Sequence, residues 1–257
     1  MRELRRVGKV LPSFLKRDLR SAAFQALKLD WPLRSGLSIR VSSHSDWIIF
    51  NEIFVNGDYD DAILMAMERA QTGAELKILD LGANVGFFSL RCLDLLYRRH
   101  LEELPTSIVA VEGNPETFRS MMTRLSAQKV RCPVNVVNGL VGYKKGTGTI
   151  TDFEISGNNR VLSGEPGKAH TVDYVDLDCF PALQSRIDLL KCDIEGGELL
   201  FLQNYRELLQ RTQVGVFELH DDQCDTNECR RLLREAGFKH FRDLVSEGAL
   251  SLVLVWR

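Results

Sequence analysis

Apolar positions along this chain switch between two periods. From residue 77 onward short apolar runs alternate with stretches where apolar side chains recur every three or four residues. The runs Lys77–Leu81, Ile108–Val111, Pro133–Leu140, Ile187–Cys192 and Val214–Leu219 predict buried strands. Helices are predicted between them, over 84–100, from Asn114-Pro115 onward, over 197–210 and over 226–236. Asn114 is placed to cap its helix, and Pro115 to occupy the first turn, where a missing N–H costs nothing. Phe118, Met121, Met122 and Leu125 should then form one buried stripe, as should Cys229, Leu232, Leu233 and Ala236 in the last helix. The rhythm breaks over 142–178, where β-like pieces at 147–155 and 171–177 suggest a hairpin or lid. Strands at 238–243 and 249–256, joined around Ser246-Glu247-Gly248, close the chain as a hairpin. Alternating strands and helices imply an α/β fold with a doubly wound, mostly parallel sheet of Rossmann-like type, carrying an antiparallel C-terminal strand. Ligands of such sheets bind beyond the carboxyl ends of the strands, near the switch in strand order.

The first 45 residues read differently. Residues 11–27 predict an amphipathic helix with Leu11, Phe14, Leu15, Leu19 and Phe24 on one side. Residues 1–20 hold seven Arg or Lys against Glu3 and Asp18. The favoured reading is a basic helical arm, 1–45, packed on the edge of a domain spanning 46–257; peripheral contact with an acidic membrane surface is the alternative. Residues 31–57 read as loop-rich, and 59–71 as a helix with Ile63, Ala66, Met67 and Ala70 at helical spacing.

Composition narrows the function. A formal net charge of −2 gives no nucleic-acid footprint. The six cysteines form no C-x-x-C pair, so they read as reduced thiols of a cytoplasmic protein rather than as a zinc framework. No uncharged run reaches the ~18 residues of a membrane span, and the first residues lack a signal-peptide pattern.

Chemistry concentrates at the predicted strand ends. The first ends in Asp80-Leu-Gly82-Ala-Asn84-Val-Gly86, a G-x-N-x-G loop rather than the dinucleotide G-x-G-x-x-G. A carboxylate before that loop repels a pyrophosphate but attracts a ligand bearing an ammonium and a sulfonium. Glu112 ends the second strand, where a carboxylate can accept both hydroxyls of a ribose. Asn138 ends the third, beside the place an adenine would take. The fourth delivers Asp193, Glu195 and Glu198; the last of these reads as a residue favouring the helix dipole. On the fifth, Glu218 and His220 share a side, and His220 is either a proton acceptor or a structural hydrogen-bonding group.

Taken together, Asp80-Leu-Gly-Ala-Asn-Val-Gly-Phe, Val111-Glu-Gly-Asn-Pro-Glu-Thr, Ile187-Asp-Leu-Leu-Lys-Cys-Asp-Ile-Glu-Gly-Gly-Glu198 and Phe217-Glu-Leu-His220 resemble the FkbM family of class I methyltransferases. The lead-in Asp46–Asp60 also resembles that family's pre-domain motif. Gly113 and Gly197 depart from it, standing where the family more often has proline and alanine. The resemblance implies S-adenosylmethionine as cofactor, held by Asp80, Gly82, Asn84, Gly86, Glu112 and Asn138, with Tyr59 either closing over it or packing. It implies hydroxyl acceptors on sugars, glycans or natural products; an alcohol must lose its proton, and His220, Asp193 or Glu195 is the candidate base. No metal ligand is assigned, although a divalent cation on those same three residues is an open alternative. Two other classes are weighed: a non-catalytic scaffold on the same fold, and an NAD-dependent oxidoreductase, which would need glycine at position 84.

Overall fold

A computed structural model describes residues 24, 29–70, 75–128, 132–151 and 169–257. Most of the predicted helix 11–27 lies outside the described residues. A seven-stranded sheet in the order β10-β11-β9-β8-β3-β4-β5 carries the fold. Its members are β3 (Leu76–Leu81), β4 (Thr106–Glu112), β5 (Val134–Asn138), β8 (Ile187–Cys192), β9 (Thr212–His220), β10 (His240–Glu247) and β11 (Leu250–Trp256). The pairs β3–β4, β4–β5, β3–β8 and β8–β9 are parallel, while β11 runs antiparallel to both neighbours. The order reverses between β3 and β8, which sets the switch point there.

Helices cover both faces. On one lie α1 (His44–Phe50), α2 (Asp60–Arg69), α3 (Phe87–Arg98) and α4 (Pro115–Ser126), packed against Ile78, Ile108, Leu189 and Val216. On the other lie α5 (Glu198–Asn204), α6 (Arg206–Arg211) and α7 (Thr226–Glu235), packed against Leu79, Val109, Leu190 and Phe217. Strands buried on both faces read as continuous apolar runs, which is why they are conspicuous in the sequence. Asn114 caps α4 as expected, accepting from Glu116 N at 2.8 Å and Thr117 N at 3.1 Å.

Several expectations need correction. Residues 31–57 are ordered: β1 (Leu29–Pro32) and β2 (Ser38–Val41) form a hairpin, then α1 runs into a π-helical turn, Asn51–Asn56, that ends at Gly57 with φ +72°. Ser43 caps α1 by accepting from Asp46 N at 3.0 Å, and Trp47, Phe50 and Phe54 stack along the helical side. Leu37, Ile39 and Val41 are buried in the same core. Met122 is 42% exposed and leaves the α4 stripe to Phe118, Met121 and Leu125. The helix expected over 197–210 breaks at Tyr205 (φ −120°, ψ 38°), whose hydroxyl donates to Val175 O at 3.0 Å. The last hairpin turns one residue later than expected, with Gly248 at φ +62°. The inserted hairpin is present as β6 (Thr147–Thr151) and β7 (Ala169–Asp173); positions 152–155 of the first expected strand lie outside the described residues, and the second strand ends at Asp173 rather than 177.

Candidate active site

Parallel register sets the site's framework. Asp80 of β3 lies opposite Lys191 of β8, and Glu112 of β4 opposite Asn138 of β5. Beyond β3 the chain must turn sharply into α3. Gly82 makes this turn with φ +70°, and a Cβ there would sit 1.6 Å from the carbonyl oxygen of Asp193. Only glycine lets the two strand-end loops meet so closely. Asn84 follows at φ +50°, and Gly86, at φ +85°, caps α3.

Glu112 organises this loop. Its Oε2 accepts from Asn84 N at 2.8 Å and its Oε1 from Asn114 N at 2.7 Å. Each carboxylate oxygen keeps a second lone pair. Asn138 Nδ2 donates to the carbonyls of Glu112 and Gly113 at 2.8 and 3.0 Å, tying β5 to the same corner.

Asp80 is fully buried beneath the loop. It accepts from Ser89 Oγ at 2.8 Å and lies 3.7 Å from Lys191 Nζ, so it offers no direct surface to a ligand. Lys191, 4% exposed, is the hub of the site. Its ammonium donates to Gly82 O at 2.7 Å and to Asp193 Oδ2 at 3.1 Å. Burial opposes its charge, but Asp193 and Asp80 outweigh that and hold it above the ordinary lysine range. Asp193 is itself raised, by burial and by Glu218 and Glu195, against the pull of Lys191.

Beyond Asp193, Glu195 takes a left-handed φ of +50° and projects into solvent, its side chain 71% exposed. On β9, Glu218 sits between two partners. Tyr59 Oη donates to its Oε2 at 3.1 Å, and His220 Nε2 lies 3.5 Å from its Oε1. His220 Nε2 is also 4.0 Å from Glu195 Oε2. The Glu218 bond raises His220 against the effect of burial, to about 9. Burial pushes Glu218 up, but His220, Lys191 and Tyr59 together hold it below the ordinary carboxylate range. Tyr59 is buried edge-on against Phe88, with ring centroids 5.5 Å apart.

The sequence pattern of the Methyltransferase FkbM domain matches residues 80–240, the stretch that carries all of these strand tips. This chain belongs to the FkbM methyltransferase-domain family. As an FkbM domain it uses S-adenosylmethionine as its methyl donor. No curated protein matches its sequence. Among solved structures, similar chains include a TehB-like SAM-dependent methyltransferase from Corynebacterium glutamicum, 12% identical (83% of this chain, 97% of that one, TM-score 0.41). The citrinin polyketide synthase CMeT domain is 12% identical (83% and 57%, TM-score 0.46). A 16S rRNA N2 G1207 methyltransferase from T. thermophilus, in complex with AdoMet and guanosine, is 15% identical (89% and 50%, TM-score 0.39).

The FkbM domain's residues suit that cationic nucleoside. Among the described residues the cationic partners of Asp80, Asp193, Glu195 and Glu218 are Lys191 and His220, so acidic groups outnumber basic ones at the strand tips. The tips of β3, β4, β8 and β9 bring together every residue singled out from the sequence, with Asn138 beside Glu112 and Tyr59 arriving from the lead-in segment. Lys191, Glu218 and Ser89 carry tasks the sequence reading did not assign. Lys191 stood inside the Ile187–Glu198 string, and Glu218 at the position sharing a side with His220, but nothing in one dimension pairs them with Asp80, Asp193 or Tyr59. Among the described residues no group of His, Cys, Asp and Glu could hold a metal ion, and no helix is long and apolar enough to cross a membrane.

Proposed function

We propose that this FkbM domain transfers a methyl group to a hydroxyl oxygen of a sugar, glycan or natural product. The observation that carries this reading is the Tyr59–Glu218–His220 chain, which ends beside Asp193 and Glu195 next to the glycine loop. S-adenosylmethionine supplies a methyl group already activated by sulfonium charge. Glu112 would hold the ribose hydroxyls with its free lone pairs, and the Gly82–Gly86 backbone would line the rest of the nucleoside, with Asn138 at its adenine end. Asp80 would act through its field and through Lys191, and Asp193 would face the positive charge.

A hydroxyl, unlike an amine, must lose a proton as it is methylated. His220 is the proposed acceptor, oriented by Glu218 with Glu195 alongside. Because Glu218 keeps the ring protonated up to about pH 9, turnover should climb as pH rises toward that value. Alignment of the acceptor oxygen supplies the remainder of the rate enhancement. An uncharged acceptor fits the carboxylate-rich mouth, where Glu52 and Asp58 face Glu218 and Glu247 faces both of them; a phosphate backbone would be repelled. Six free thiols accord with a reducing, cytoplasmic setting. The test is incubation with methyl-labelled cofactor and a panel of hydroxyl acceptors, RNA included, read by mass spectrometry. Label on an oxygen of a neutral acceptor supports the reading. Label on nitrogen or on RNA would overturn it.

A further inference from the structure

Glu198 opens α5 and is fully buried. A first-turn acid that merely complements a helix dipole belongs at the surface, where it keeps its hydration. This one has a different task. Its Oε1 accepts from Ile194 N at 3.0 Å, which pins the loop carrying Asp193 and Glu195. Its Oε2 is buried with no hydrogen-bond partner among the described residues. His220 Nδ1 is likewise buried with no such partner, while its Nε2 faces Glu218 and Glu195. One orphan can only accept and the other donates when the ring is charged, and such groups are rarely left unpaired.

We propose that Glu198 is a positioning residue for His220, holding the ring through Nδ1 directly or across one bound water and so aiming Nε2 toward Glu218, Glu195 and the acceptor. Held through Nδ1, the ring presents Nε2 as the nitrogen that takes the proton, as a carboxylate fixes one nitrogen of histidines at many catalytic sites. Their charges already act on each other: Glu198 contributes to raising His220, and His220 to lowering Glu198. The groups facing His220 are Glu218 from its own strand, Glu195 from the β8 loop and Glu198 from α5; Glu198 in turn faces the thiols of Cys192, Cys224 and Cys229. Glu198 thereby couples the loop bearing the acids to the ring that takes the proton.

The proposal rests on His220 lying in the active site, so its test is made without cofactor or acceptor. The His220 titration is followed by NMR, its resonance assigned by disappearance in His220→Asn. In Glu198→Gln the amide can still accept from Ile194 N, but it offers no charge to the ring. The His220 titration should then move to lower pH by about one unit, a tenfold loss of proton affinity. An unmoved titration overturns the proposal while leaving methyl transfer intact as a reading. Should Glu198→Gln fail to fold, the unaltered protein still decides. Its His220 Nδ1 proton should exchange slowly and be visible in ¹⁵N-edited spectra, and a freely exchanging Nδ1 would overturn the proposal. Loss of methyl transfer in His220→Ala, measured separately, tests the underlying reading.

Discussion

Replacing Lys191 with methionine keeps the apolar stem but removes the charge on which the strand tips converge. Lys191 Nζ lies 3.1 Å from Asp193 Oδ2 and 3.7 Å from Asp80 Oδ1. At an effective dielectric of about 20, unit charges at those separations attract by roughly 5 and 4 kcal/mol. The lysine's own burial cost offsets part of this, and breaking a buried pair by removing one partner leaves a net loss of about 3–5 kcal/mol. The loss should depend on pH. Asp80 and Asp193 already stand above the ordinary carboxylate range, burial being the main cause, and without Lys191 they rise further. A carboxylate raised in the folded state loses stability as pH climbs from its unfolded value to its folded one. Each additional proton the variant retains therefore widens the gap by about 1.4 kcal/mol per pH unit. Asp193 keeps its proton in the native protein up to about pH 8, so urea melts of both proteins at about pH 5 and about pH 9 would measure this. A loss below ~1 kcal/mol, or one that does not grow with pH, would refute the assignment of Lys191 as the counter-ion of both acids.

Three further outcomes follow from the same geometry. Gly82→Ala puts a methyl group 1.6 Å from Asp193 O, so the loops must separate; a stability loss above ~3 kcal/mol and loss of cofactor binding in calorimetry are expected. Glu195→Gly relieves a left-handed φ of +50° and should leave stability unchanged or raise it by up to about 1 kcal/mol, while turnover falls; a clearly lowered melting point would argue against strain held for function. Binding of a cation favours ionised Asp193, whose pKa is raised to about 8, so cofactor affinity should strengthen as pH rises toward that value, with proton release measurable by calorimetry in buffers of different ionisation heat.

The sheet was legible because its central strands are buried on both faces and its helices carry ordinary caps. The Gly82 turn and Glu112 were legible for a related reason, since a glycine at a strand end and an acid at the next have few other uses. Residues 31–57 were not. There a two-stranded hairpin of four residues a side and a π-helical turn hold together by tertiary packing of Leu37, Ile39, Phe50 and Ile53 rather than by local periodicity. Tyr205 breaks an otherwise continuous helical pattern because its hydroxyl bonds a carbonyl 30 positions earlier, a contact that no window of sequence contains. Glu198 read as a first-turn acid favouring the helix dipole, and only its burial and its bond to Ile194 N reveal the loop it pins.

The most direct measurement is calorimetric titration of S-adenosylmethionine into the native protein and into Glu112→Ala. Two ribose hydroxyls donating to a carboxylate are each worth about 1.5–3 kcal/mol, so saturable one-to-one binding should weaken more than tenfold in the variant. Equal affinity in the two proteins, with both folded, would place the nucleoside somewhere other than the tips of β3 and β4.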